Sequence, residues 1–150
     1  MTTIKLITKI NAPIQLVFDL NRNIDIHKLS TSKSKEIAMD GVTSGLINKG
    51  ETVTWRGKHF GFYLKHKSVI PEMEHPNYFV DEMLEVHFKK FRHHHCFVQE
   101  GLNTIVTDTI EYQTPFWIFG KIFDQLILKN YLTRFIKERN NYIKKVAENQ

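Results

Sequence analysis

The chain has 150 residues, of which 41% are hydrophobic and 25% charged, with a formal net charge of +5. A chain of this size and balance builds its own core, which excludes a disordered protein. Its single cysteine, Cys96, excludes an intramolecular disulfide and any cysteine-rich zinc or iron–sulfur centre.

No linker, repeat or low-complexity stretch divides the sequence, so residues 1–150 are read as one domain. The start, MTTIKLITKINAP, carries no secretory signal pattern, and a cytoplasmic location is expected.

Thr2–Ile10 alternates as a strand, with Ile4, Leu6, Thr8 and Ile10 on one face. Asn11-Ala12-Pro13 opens a short helix with Asn11 as N-cap, and Ile14, Val17, Phe18 and Leu20 supply its apolar stripe. A second short helix is predicted over Asn23–Leu29, with Ile24, Ile26 and Leu29 turned inward.

From Ser34 the period becomes two. Strands are predicted at Lys35–Met39, Thr52–His59, Phe62–Ile70, Asn77–Leu84, Val86–Gln99 and Asn103–Tyr112. Gly61, Pro71, Pro76 and Gly101 mark the turns. After Pro115 a helical period runs to Val146, a helix of about 45 Å at 1.5 Å per residue. Phe119, Ile122, Phe123, Leu126, Ile127, Tyr131 and Phe135 fall near its apolar side, and Lys121, Asp124, Lys129 and Lys137 on the other.

Strand alternation assigns faces. Trp55 and His59 oppose Arg56 and Lys58 and point inward; so do Phe62, Leu64, His66 and Ser68, opposite Lys65 and Lys67. Phe91, His93, His95 and Phe97 share one face of the histidine-bearing strand. Val106, Asp108, Ile110 and Tyr112 share one face of the last. Inward histidines and aspartates must pair or line a hydrated cavity, because a buried polar group without a partner costs about 1–3 kcal/mol. The aromatics of these strands lie opposite the basic side chains, so a nucleic-acid stacking surface is not expected.

This order of elements resembles the SRPBCC superfamily (START-like, Bet v 1-like), and within it bacterial proteins described as ligand-binding or cell-division-inhibitor-like. The resemblance rests on INAPIQLVFDLNRNIDIH, GVTSGLINKGETVTWRGKHFG, FVDEM, FRHHHCF, TDTIEYQTPFWIFGKI and RNNYIKKV. It implies an α+β helix-grip fold. In that fold a curved seven-stranded antiparallel sheet wraps a long C-terminal helix, with two short helices after the first strand. A cavity between sheet and helix follows from the same resemblance, and for Asn77–Leu84 it places Phe79 and Met83 inside, with Asp81 between them.

The expected function is binding of an apolar or amphipathic small molecule in that cavity. The expected lining is Trp55, His59, Phe79, Met83, Phe91, His93, His95, Phe97, Phe123, Ile127 and Tyr131. One alternative is a polyketide cyclase or dehydratase-like enzyme using His59 or His93 with Asp81 or Asp108, since a histidine backed by an aspartate titrates near working pH. Another is an interaction module with a basic surface. His93 and His95, at i and i+2, can share a metal with a third ligand from His59, Asp81 or Asp108. Histidines satisfied in the core or cavity are the preferred reading, with no metal or cofactor. Close acidic neighbours such as Asp124 near Lys121 make the basic helix face a solvated one, without membrane insertion.

Overall fold

A computed structural model describes residues 1–84 and 87–150. Strand β1 (Thr2–Ile10) leads into helices α1 (Ile14–Asn21) and α2 (Ile24–Ser30). Strands β2 (Ile37–Gly41), β3 (Thr52–His59), β4 (Phe62–Glu74), β5 (Tyr78–Met83), β6 (Lys90–Glu100) and β7 (Asn103–Gln113) follow. The chain ends in α3 (Trp117–Phe123), a π-helical turn (Asp124–Leu128) and α4 (Lys129–Glu148). The seven strands form one antiparallel sheet in the order β1-β7-β6-β5-β4-β3-β2, so β1 closes back on β7 and the helices cover one face.

The period-two faces hold where the core is deepest. Ile4, Ile10, Val106, Ile110 and Tyr112 are buried, and so are Trp55, His93, His95 and Phe97. Phe18 of α1 packs edge-on against Phe79 and Phe97, which brings the first helix onto the middle of the sheet.

Several expectations need correction. Pro13, not Asn11, occupies the N-cap of α1, with no side-chain cap. Asn23 caps α2 by accepting from the amides of Asp25 and Ile26 at 2.9 and 3.1 Å, but Leu29 is exposed. Pro71 does not end β4, because the register shifts between Val69 and Glu72 and the strand continues past it. An irregularity of this kind is where a strand accommodates proline. Thr54 is buried although its strand neighbours Arg56 and Lys58 are exposed, and Phe62 is exposed. Val86, the expected start of β6, lies outside the described residues.

The largest correction concerns the C-terminal helix. Asp124 is buried and accepts hydrogen bonds from the Tyr112 hydroxyl on β7 and the Thr2 hydroxyl on β1. Turning Asp124 inward widens the helix into the π turn. The buried side then runs through Gly120, Asp124, Leu128, Ile136, Arg139, Asn140 and Ile143. Phe119, Ile122, Phe123, Leu126 and Ile127, expected on the apolar side, are exposed instead.

Candidate functional site

A cavity of about 150 Å³ lies between the sheet and α4. Its apolar wall comes from Trp55 on β3, Leu64 on β4, Met83 on β5 and Phe91 on β6, closed by Leu132, Phe135 and Ile136 of the helix. Its polar surface is supplied by His27, Glu36, His59, His66, Asp81 and His93. A second, almost wholly apolar groove of about 390 Å³ shares Phe60, Leu64, His87, Phe88 and Leu128 with it and runs outward beneath Phe116, Phe119 and Phe123.

Glu36 anchors one polar cluster. His27 Nε2 lies 2.6 Å from its Oε2 and His59 Nε2 lies 3.3 Å from its Oε1, while His59 Nδ1 pairs with the Tyr131 hydroxyl at 2.6 Å. Burial alone would raise the Glu36 carboxyl, but hydrogen bonding to His27 and His59 outweighs it and holds the group well below the usual carboxylate range. Burial and the Glu36 charge together push the Tyr131 hydroxyl up. Burial pushes His66 down, against the pull of Glu36 and Asp81. The space for Glu36 is made by Gly57 of β3, where a Cβ would stand 2.7 Å from Glu36 Cγ.

A second cluster lies behind the cavity wall. His93 Nε2 is 2.8 Å from Asp108 Oδ1 and the Asn140 amide donates to Oδ2 at 2.6 Å. His95 Nδ1 is also 2.8 Å from Oδ1 but is not aligned for a hydrogen bond. Burial would raise the Asp108 carboxyl; its contacts with the two histidines hold it well below the usual range. Burial, reinforced by the adjacent His93, pushes His95 down to about 3, so its ring is neutral near pH 7. Arg139, also buried, donates to the Asn21 backbone carbonyl at 2.8 Å and to its side chain at 3.2 Å.

His93, His95 and Asp108 place their ligand atoms within 4.8 Å of one another. Both histidine nitrogens stand at hydrogen-bond distance from a single carboxylate oxygen. Neighbouring ligands around a tetrahedral zinc would be spread to roughly 3.3 Å. The spacing is that of a hydrogen-bonded cluster.

Of the expected lining, Trp55, His59, Met83, Phe91, His93 and Tyr131 border the cavity, as does Asp81. Phe79 and Phe97 are core residues behind it, and His95 stacks on Phe79 at 4.3 Å between ring centres. Asp108 stands behind His93 and reaches the cavity only through it. Phe123 borders the outer groove, and Ile127 borders neither space. Glu36 and His27 are not signalled by the sequence: SKSKEIAMD looks like a solvated charged run, and nothing local in it reports the gap that Gly57 leaves across the β2–β3 pair. Alternation puts His66 on the inner face, though not among the expected lining.

Solved structures share this architecture over nearly the whole chain. A START superfamily protein from Mycobacterium smegmatis superposes with a TM-score of 0.73 at 10% identity, covering 96% of this chain and 98% of that one. The chain has the helix-grip fold. Helix-grip neighbours also include a protein from Thermus thermophilus (TM-score 0.72, 16% identity, 97% and 99% covered). Another is major latex-like protein 151 from Panax ginseng (TM-score 0.68, 19% identity, 97% of each chain). No protein-family model matches the sequence, and no curated protein matches it.

Proposed function

We propose that this helix-grip protein binds an amphipathic small molecule whose polar end donates hydrogen bonds. The observation that carries the reading is Asp81 Oδ1, a buried acceptor with no hydrogen-bond partner among the described residues, in a cavity whose surface is otherwise largely apolar. A buried acceptor left unpaired costs about 1–3 kcal/mol, and a ligand hydroxyl or ammonium removes that cost. Glu36 adds a second negative group at the same polar surface. A donor head is therefore favoured over a carboxylate. The cavity and the apolar groove beside it together reach the size of ordinary small-molecule sites, roughly 300–1,000 Å³, with room for an apolar tail leading outward.

The test is a displacement titration with the uncharged probe N-phenyl-1-naphthylamine as reporter, comparing decanol, decylamine and decanoate. The alcohol or amine is expected to displace the reporter at least tenfold more effectively than the carboxylate. Tighter binding of decanoate contradicts a donor head, and no displacement by any of the three contradicts the binding reading.

A further inference from the structure

The start of the C-terminal helix leaves a cluster of large apolar side chains exposed. Phe116, Trp117 and Phe119 are 80%, 79% and 78% exposed, and Leu126 is 70% exposed. Phe123 packs edge-on against Phe60 at 5.6 Å between ring centres, joining this helix surface to the tip of the β3–β4 hairpin, where Phe62 is also exposed. Phe116 and Trp117 hold φ angles of +64° and +46°, a backbone region that bulky residues rarely occupy. A monomer seldom leaves so many large aromatics together in water, and such a patch marks a docking surface.

The charge around the patch is predominantly positive. Between Thr114 and Lys137 the sole acidic residue is Asp124, which is buried, whereas Lys121, Lys129, Arg134 and Lys137 are cationic. Lys89 and Lys121 border a shallow pocket beside Trp117, and Lys33, Lys58 and Arg134 outnumber Glu138, which is paired with Lys33, around a groove beside Phe60. Exposed aromatics ringed by lysine and arginine are the composition of a surface that enters the headgroup layer of an anionic bilayer. A second copy of the same patch is the poorer partner, because a two-fold contact would bring together two surfaces of the same, predominantly positive charge. Among the described residues no helix is long and apolar enough to cross a membrane.

We infer that the Phe116–Ile127 surface docks this protein peripherally on anionic membranes, with the apolar groove opening at the docked face. The inference does not require the cavity to be occupied, so it stands or falls separately from the ligand reading. The groove is bordered by Phe116, Phe119 and Phe123, so a bound bilayer would lie at its mouth.

The experiment is flotation of the full chain with vesicles of phosphatidylcholine alone or with phosphatidylglycerol, alongside tryptophan emission. Trp55 is buried and Trp117 exposed, so a blue shift on vesicle addition reports Trp117. Binding is expected on the anionic vesicles, with a blue shift. It should weaken about fivefold for each of Lys121→Gln and Lys129→Gln, and at least tenfold in the Trp117→Ser/Phe119→Ser variant. These positions are exposed, and unchanged circular dichroism and thermal unfolding confirm that each variant is folded. No binding to anionic vesicles overturns the proposal. So does equal binding to neutral vesicles, or a protein dimer that Trp117→Ser/Phe119→Ser dissolves.

Discussion

Asp108 on β7 and Asn140 on α4 are joined by a 2.6 Å hydrogen bond, amide to carboxylate, with both residues buried. The bond ties β7 to the long helix, and the same carboxylate holds His93 and balances the buried Arg139 guanidinium. Asp108→Ala should therefore cost about 3–5 kcal/mol, the range for removing one member of a buried charged cluster. Urea unfolding measures it, and a loss below about 1 kcal/mol would contradict this role.

Stability should fall as the solution is acidified below neutrality. His95 titrates at about 3 in the fold against 6.5 ordinarily, so between those values the unfolded chain binds the extra proton. Stability is then complete above about pH 6.5 and declines toward pH 3, with a slope of up to about 1.4 kcal/mol per pH unit from this one group. Glu36 and Asp108 have lowered carboxyls, so their contribution holds above the usual carboxylate range and is lost below it. Urea midpoints between about pH 8 and pH 4 test the sign, and His95→Gln should flatten the slope across the lower part of that range. A variant profile parallel to wild type rejects the assignment.

Gly57→Ala places a Cβ 2.7 Å from Glu36 Cγ and 3.0 Å from His59 Nε2. The expected cost is about 1–3 kcal/mol, as for other overpacked sites. If Glu36 is the obstacle, the cost shrinks in a Glu36→Ala background, which a double-mutant cycle measures. Additive losses would mean that the glycine serves another purpose.

The positions of the strands along the chain, the two short helices and the inner faces of β6 and β7 were legible in the sequence because their periodicity is local. The same rule failed on the C-terminal helix. A 3.6-residue period assumes an unbroken α-helix, and the burial of Asp124 by Tyr112 and Thr2 is a long-range event that no window over residues 115–130 contains. Arg139 and Asn140 are buried for a similar reason: their partners, Asn21 and Asp108, are distant in the chain. The polar part of the cavity was half visible. His59 and His93 follow from alternation and Asp81 only from the family resemblance, whereas Glu36 depends on a glycine across a strand pair.

Asp81→Leu should separate stability from binding. Removing the oxygen that has no partner among the described residues is expected to raise the thermal midpoint of the empty protein, a gain of about 1 kcal/mol or more. The same change should lower affinity for decanol at least tenfold in the displacement titration. A destabilised variant with unchanged decanol affinity would show that Asp81 does not receive the ligand.

The most direct test of an occupied helix-grip cavity is native mass spectrometry of protein purified without detergent, followed by denaturation and a mass of whatever is released. The expected result is a near-stoichiometric organic molecule bearing a hydroxyl or amine, absent from a Leu64→Trp variant that fills the junction of cavity and groove. The same adduct on both proteins, or a bare wild-type chain that also takes up no added decanol, would contradict it.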